Sequence, residues 1–237
     1  MPAPWIRPWP SEADVDYSAI VSAADNEDDS ARPNLRGAIQ RAWMVGYKAL
    51  TTGETWIQSI PHPPFTFLWD GRSPEPSETT IDSRMVGIIG QSAPQPPRRD
   101  SHRLHSLGGW TGRVDWFWGR QYDRGHFVAH SLGAEVSGLE MNIYFQRRDL
   151  NRGWSQEGKL FRRMEQAAVR QPGTLFWVRP VYLSDGYVPA FVEFGLLEVG
   201  DQVRVHRFDN QVDEFDVLEL ADRRLSFLPV KSRRARS

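Results

Sequence analysis

The chain has 237 residues, 40% of them apolar and 12% aromatic, which is enough to bury a core and argues against wholesale disorder. It contains no cysteine, so disulfides, thiolate metal sites and cysteine nucleophiles are excluded. A net charge of −1 hides an asymmetry: residues 1–83 hold 6 Lys/Arg against 12 Asp/Glu, residues 84–170 hold 14 against 8, and residues 171–237 hold 9 against 10. The basic middle suits a phosphodiester substrate, although a solvated surface is the plainer account of such a bias.

In chain order, residues 1–33 are rich in Pro, Asp and Glu, with an acidic run from Asp25 to Asp29, and read as a loosely ordered arm. The opening segment has no apolar run of signal-peptide length, and no stretch approaches the roughly 20 apolar residues of a membrane span. A soluble, cytoplasmic protein is therefore expected. Residues 34–50 place Leu35, Ile39, Trp43 and Val45 to Tyr47 near one face of an amphipathic helix. The three prolines in residues 55–69 point to strand pieces and turns. Residues 71–103 read as a loop or linker around one short strand, Met85 to Ile89. Val114, Trp116 and Trp118 alternate within a strand over 110–120, and residues 126–130 read as a second strand before a turn-rich stretch from Ser131 to Gly138. Residues 154–170 suit a helix with Leu160, Phe161, Met164, Ala167 and Ala168 on one stripe, ended by Gln171-Pro172-Gly173. Three strands follow over 174–182, 187–197 and 202–208, then a basic tail from Lys231. The expected class is α+β, an antiparallel sheet with flanking helices, with residues 1–100 as an accessory or regulatory region and 101–237 as the catalytic domain.

The segment richest in chemistry runs Asp123-Arg124-Gly125-His126, then Asn142 to Gln146, then Asn151-Arg152-Gly153-Trp154. Phosphodiester hydrolysis needs a deprotonated water, charge neutralisation at the phosphate and help for the leaving oxygen. Neutral imidazole, with an ordinary pKa of about 6.5, is a general base suited to neutral pH. An asparagine oxygen is a hard ligand for Mg²⁺, which prefers oxygens and keeps several waters. An arginine beside the histidine can take a phosphate bidentately.

This ordered set resembles the DNA/RNA non-specific endonucleases, the ββα-metal or His-Me finger nucleases, in their bacterial toxin branch. The resemblance covers roughly residues 110–210, including Val178-Arg179-Pro180-Val181-Tyr182. It implies a ββα-metal motif on the sheet, His126 as general base, Arg124 as a phosphate-binding group, and Asp123 and Asn142 as supports that orient the site. It also implies Asn151 as the Mg²⁺ ligand, with Mn²⁺ able to substitute, and sequence-independent cutting of DNA and RNA to 5′-phosphate products. As a toxin or defence effector, such a nuclease is expected to meet an inhibitor or regulatory protein. A catalytically impaired module that only binds nucleic acid or a partner is the alternative.

The pattern also calls for a glutamate about two turns beyond the metal asparagine. Glu165 has the matching neighbours but lies 14 residues past Asn151, about 21 Å along an unbroken helix. Either the chain turns back within residues 153–158, bounded by Gly153 and Gly158, or Glu157 takes the role. Glu165 is the favoured candidate. His130 would share a strand face with His126, with a structural role expected. His102 and His105 lack further ligand spacing. Arg98, Arg99, Arg147, Arg148 and Arg152 are candidate phosphate contacts as a group, and Trp110, Trp116 and Trp118 are expected to pack in the core.

Overall fold

The computed structural model describes residues 7–25, 32–71, 83–93, 121–134, 142–183, 188–198 and 202–212. The strand proposed over 110–120, with its tryptophans, His102, His105, Arg98, Arg99 and the basic tail lie outside the described residues. Helices α1 (Tyr17–Asp25) and α2 (Arg32–Leu50) come first, followed by strands β1 (Ile57–His62), β2 (Phe65–Gly71) and β3 (Ser83–Gln91). Next come β4 (Tyr122–His126), β5 (Ile143–Arg147), α3 (Arg148–Arg152), α4 (Gln156–Arg170), β6 (Leu175–Val181), β7 (Phe191–Leu197) and β8 (Val203–Asp209). The class is α+β. A six-stranded antiparallel sheet has the order β1-β2-β3-β6-β7-β8, and β4 and β5 form a separate two-stranded ribbon. Among the described residues no helix is long and apolar enough to cross a membrane.

Strand alternation sends apolar side chains to both faces of the large sheet. Phe176, Val178, Val192 and Phe194 point to a front core with Phe161 and Met164 of α4 and Phe127 and Tyr144 of the ribbon. Leu68, Val86, Ile89 and Trp177 point to a back core with Tyr17 and Val21 of α1 and Leu35, Ile39 and Trp43 of α2. Trp43 lies so close over Gly87 that a Cβ there would come within 2.4 Å of its ring. In β3 the alternation is offset where Leu68 faces Gly87 but Trp69 faces Met85, leaving Val86 as an extra residue.

Several expectations are corrected. The acidic arm contains α1, whose Tyr17 is buried against Trp43 and Glu193, because Tyr17, Val21 and Ala24 form an apolar stripe that docks on α2 and the sheet. The presumed linker strand is nine residues long and central, bonded to both β2 and β6. Residues on both sides of position 100 therefore share one sheet and one front core. Val45 is 71% exposed and does not belong to the packed face of α2. The partner of β4 is β5, since the strand ends at His126 and the chain turns into a 3₁₀ helix over His130–Leu132. His130 consequently does not continue the strand of His126.

Candidate functional site

The ribbon is held to the large sheet by Asn210, a fully buried residue just after β8. Its Nδ2 donates to the carbonyls of Phe145 and Pro189, both at 2.8 Å, its Oδ1 accepts from the Arg147 amide at 2.7 Å, and its carbonyl accepts from the Tyr122 hydroxyl at 3.0 Å. At the far end of the ribbon, Asn142 acts as a side-chain extension of the ladder. Its Oδ1 accepts from the Val128 amide at 2.9 Å and its Nδ2 donates to the Val128 carbonyl at 3.0 Å. This bracket holds the backbone immediately beyond His126.

Asp123 lies opposite Gln146 in the ribbon and faces α3. Its carboxylate accepts from Arg148 Nε at 2.9 Å, Arg152 Nε at 2.6 Å and Asn151 Nδ2 at 3.2 Å. Partial burial alone would raise its pKa, but the donors from Arg152, Arg148 and Asn151 outweigh that and hold the carboxyl below its ordinary range. With Nδ2 tied to Asp123, Asn151 Oδ1 accepts no hydrogen bond among the described residues.

Asn151 sits in the last turn of the five-residue α3. The chain then turns back. Gly153 adopts φ 69°, a left-handed conformation that glycine enters without strain, and Ser155 caps α4 by accepting from the Gly158 amide at 3.0 Å. Gly158 packs so tightly on α3 that an added Cβ would meet the Asp149 carbonyl at 2.5 Å. The break between the helices brings Glu165 back to the same cleft as Asn151. The cleft, about 370 Å³ in volume, is lined by His126, Gln146, Asn151, Arg162, Glu165 and Gln166, among others. Glu157 is engaged elsewhere, accepting from Arg147 Nη2 at 2.5 Å.

Burial lifts the Glu165 carboxyl to about 7, opposed by Arg162. It accepts no hydrogen bond among the described residues. Two further polar atoms in this region, Gln146 Nε2 and the buried Tyr144 hydroxyl, are likewise unpartnered among them. Burial above all, and the Glu165 charge next, raises the Tyr144 phenol. Gln146 fits because position 125 is glycine, where a Cβ would come within 2.3 Å of its Oε1. Sequence reasoning assigned no role to Gln146, Arg162 or Asn210. The first was legible as the partner of Asp123 once β4 and β5 are paired, but the other two carry no local signal.

No group of three His, Asp or Glu residues gathers to hold a metal among the described residues. The available donor set is one amide oxygen and one carboxylate facing an open cleft, which fits a hard cation that retains much of its water, as Mg²⁺ does. Arg124 faces Phe145 in the ribbon and is partly exposed. The expected arginine group is corrected in part. Arg148 and Arg152 are bound to Asp123, and Arg147 pairs with Asp149 at 2.6 Å and with Glu157, so their charge is already offset.

No family model matches the chain, and no curated protein matches it. Among solved structures, the Sda1 nuclease with bound zinc ion is similar at 22% sequence identity and a TM-score of 0.33, over 39% of this chain and 39% of that one.

Proposed function

We propose that the protein is a divalent-metal-dependent endonuclease of the ββα-metal type, in which β4, β5 and α3 form the motif. The observation that carries this reading is the convergence of His126, Asn151 and Glu165 on one cleft from three separate elements. His126 accepts the proton of the attacking water, as a neutral imidazole does efficiently near pH 7. Asn151 Oδ1 and the Glu165 carboxylate would hold the cation, with Asp123 fixing the Asn151 amide through its Nδ2. When bound, Mg²⁺ or Mn²⁺ supplies neutralisation of the phosphate and of the leaving oxygen. Arg124 contributes a charged contact to the phosphate, and Asn142 keeps His126 in place by fixing the strand end. Contacts of this kind read backbone, so DNA and RNA are both substrates and base sequence is not selected.

The test is cleavage of plasmid and of RNA with Mg²⁺, with EDTA and His126→Ala as controls. Replacing the base lowers the rate by about 10²–10⁴-fold. Intact substrate under Mg²⁺ and Mn²⁺, with His126→Ala indistinguishable, would leave a module that only binds. A role as a bacterial toxin or defence effector restrained by a partner protein extends this reading, with residues 1–100 as the place for regulation. Induced cytoplasmic expression should stop bacterial growth for the wild type and not for His126→Ala. Equal growth of the two sinks the toxin assignment.

A further inference from the structure

Of the expected phosphate-binding arginines, Arg147, Arg148 and Arg152 are paired with Asp123, Asp149 and Glu157, so a longer run of available positive charge has to come from another element. It lies on α4. Lys159, Arg162, Arg163, Gln166, Val169 and Arg170 are all exposed, and their spacing of three, four and seven places them on one stripe of the helix. Lys159, Arg163 and Arg170 form no ion pair among the described residues. The stripe extends about 16 Å along the helix axis at 1.5 Å per residue. Arg162, Gln166 and Val169 on its edge also line the cleft of His126, so the basic track and the cleft share a wall.

At the N-terminal end of this track stands Trp154, 62% exposed, in the turn between α3 and α4. Its position is fixed. Its amide donates to the Asp149 carbonyl at 2.9 Å, and the Arg152 guanidinium lies 5.0 Å from its ring centroid. Arg152 is in turn held by Asp123 at 2.6 Å. A large apolar ring kept in solvent, steadied by a cation and three residues from Asn151, is a platform for another flat aromatic group.

We propose that Trp154 and the exposed stripe of α4 form a binding track for single-stranded nucleic acid, with one unpaired base stacked on Trp154 and the sugar-phosphate backbone lying along Lys159, Arg163 and Arg170. A single strand is specified because a base inside a duplex has no free face to offer the ring, whereas every unstacked base does. The track deepens the nuclease reading by naming the form of substrate that the cleft receives, but its binding chemistry needs neither the metal nor His126.

The experiment measures fluorescence anisotropy of a labelled short oligothymidylate, and of a blunt duplex of equal length, with His126→Ala protein in EDTA so that nothing is cut. Trp154→Ala in that background should weaken single-strand binding by about tenfold, with Trp154→Phe keeping most of the affinity and duplex binding changing less than about twofold. Arg163→Ala with Arg170→Ala should flatten the dependence of log K on log salt by about 1.4, the share of two single-strand phosphates. Trp154 is exposed, so a melting curve equal to that of the parent confirms that the variant is folded. Unchanged single-strand binding in Trp154→Ala, or equal losses on strand and duplex, overturns the track. Binding that falls as stated in a protein whose His126 form cuts nothing keeps the track and removes the nuclease. His126-dependent cutting with unaltered binding in Trp154→Ala does the reverse.

Discussion

Two glutamates on opposite sides of the large sheet show how differently this protein uses a shielded carboxyl group. Glu193, on β7, is fully buried behind the sheet, where it accepts from the Tyr17 hydroxyl and pairs with Arg179 at 3.1 Å and Arg207 at 3.5 Å. Glu165, on α4, faces the front cleft and has no hydrogen bond among the described residues. The first carboxylate is saturated by its partners and ties α1 to β6, β7 and β8. The second is raised to about 7 by desolvation and is open to whatever enters the cleft. A saturated polar cluster is the mark of a structural joint, and an unsaturated one beside a cleft marks a site.

The contrast is broken most severely at Glu193. Glu193→Ala leaves the buried Arg179 guanidinium uncompensated and should cost about 3–5 kcal/mol in urea unfolding. A loss below about 1 kcal/mol would mean that the joint is not what holds α1.

Glu165 should behave with the opposite sign. Its carboxyl titrates at about 7 in the folded protein, against about 4.3 in an unfolded chain. Between those values the folded state binds more protons than the unfolded one, so stability falls as pH rises through this window. The penalty is absent below about pH 4.3 and complete above about pH 7. Glu165→Gln should therefore stabilise the protein by about 2 kcal/mol at pH 8, allowing for screening on the open side, with the gain vanishing near pH 4. Added Mg²⁺ should raise the Tm of the wild type at pH 8 and raise that of Glu165→Gln less, since a ligand stabilises only the state that binds it. Destabilisation by Glu165→Gln at pH 8 would put this residue with Glu193.

The smallest expected effect sharpens the geometry between them. Ser155→Ala removes the cap of α4 and should cost about 1 kcal/mol in thermal unfolding. If the orientation of α4 sets Glu165 in the cleft, activity should fall further than this stability loss explains. Activity unchanged at a temperature where the variant is fully folded would show that packing of Gly158 on α3 orients the helix alone.

Part of this was written in the sequence. Periodicity located α2, α4 and β6 to β8 within a few residues, because an apolar stripe repeats at the helical or strand spacing regardless of its partners. The run from Asp123 to His126 and the residues Asn142, Asn151 and Glu165 were also picked out as candidates, since chemistry restricts residue types. The route from Asn151 to Glu165 was readable as a question, with glycines at 153 and 158 marking where the chain could turn.

The answer to that question came from tertiary structure. Which of Glu157 and Glu165 faces the cleft depends on how α4 packs after the turn, and Arg147 captures Glu157 only once β5 and α3 are in place. The pairing of β4 with β5 across the sixteen intervening residues, the insertion of β3 into the centre of the sheet, and the use of Asn210 as the tie between ribbon and sheet are contacts between residues distant in the chain. So is the pairing of Arg148 and Arg152 with Asp123. The sequence alone determined which residues had suitable chemistry and which segments were helix or strand, because both depend on residue type and local spacing. Tertiary structure decided which of those residues meet, which charges cancel and which remain available, because burial and pairing are properties of the assembled fold.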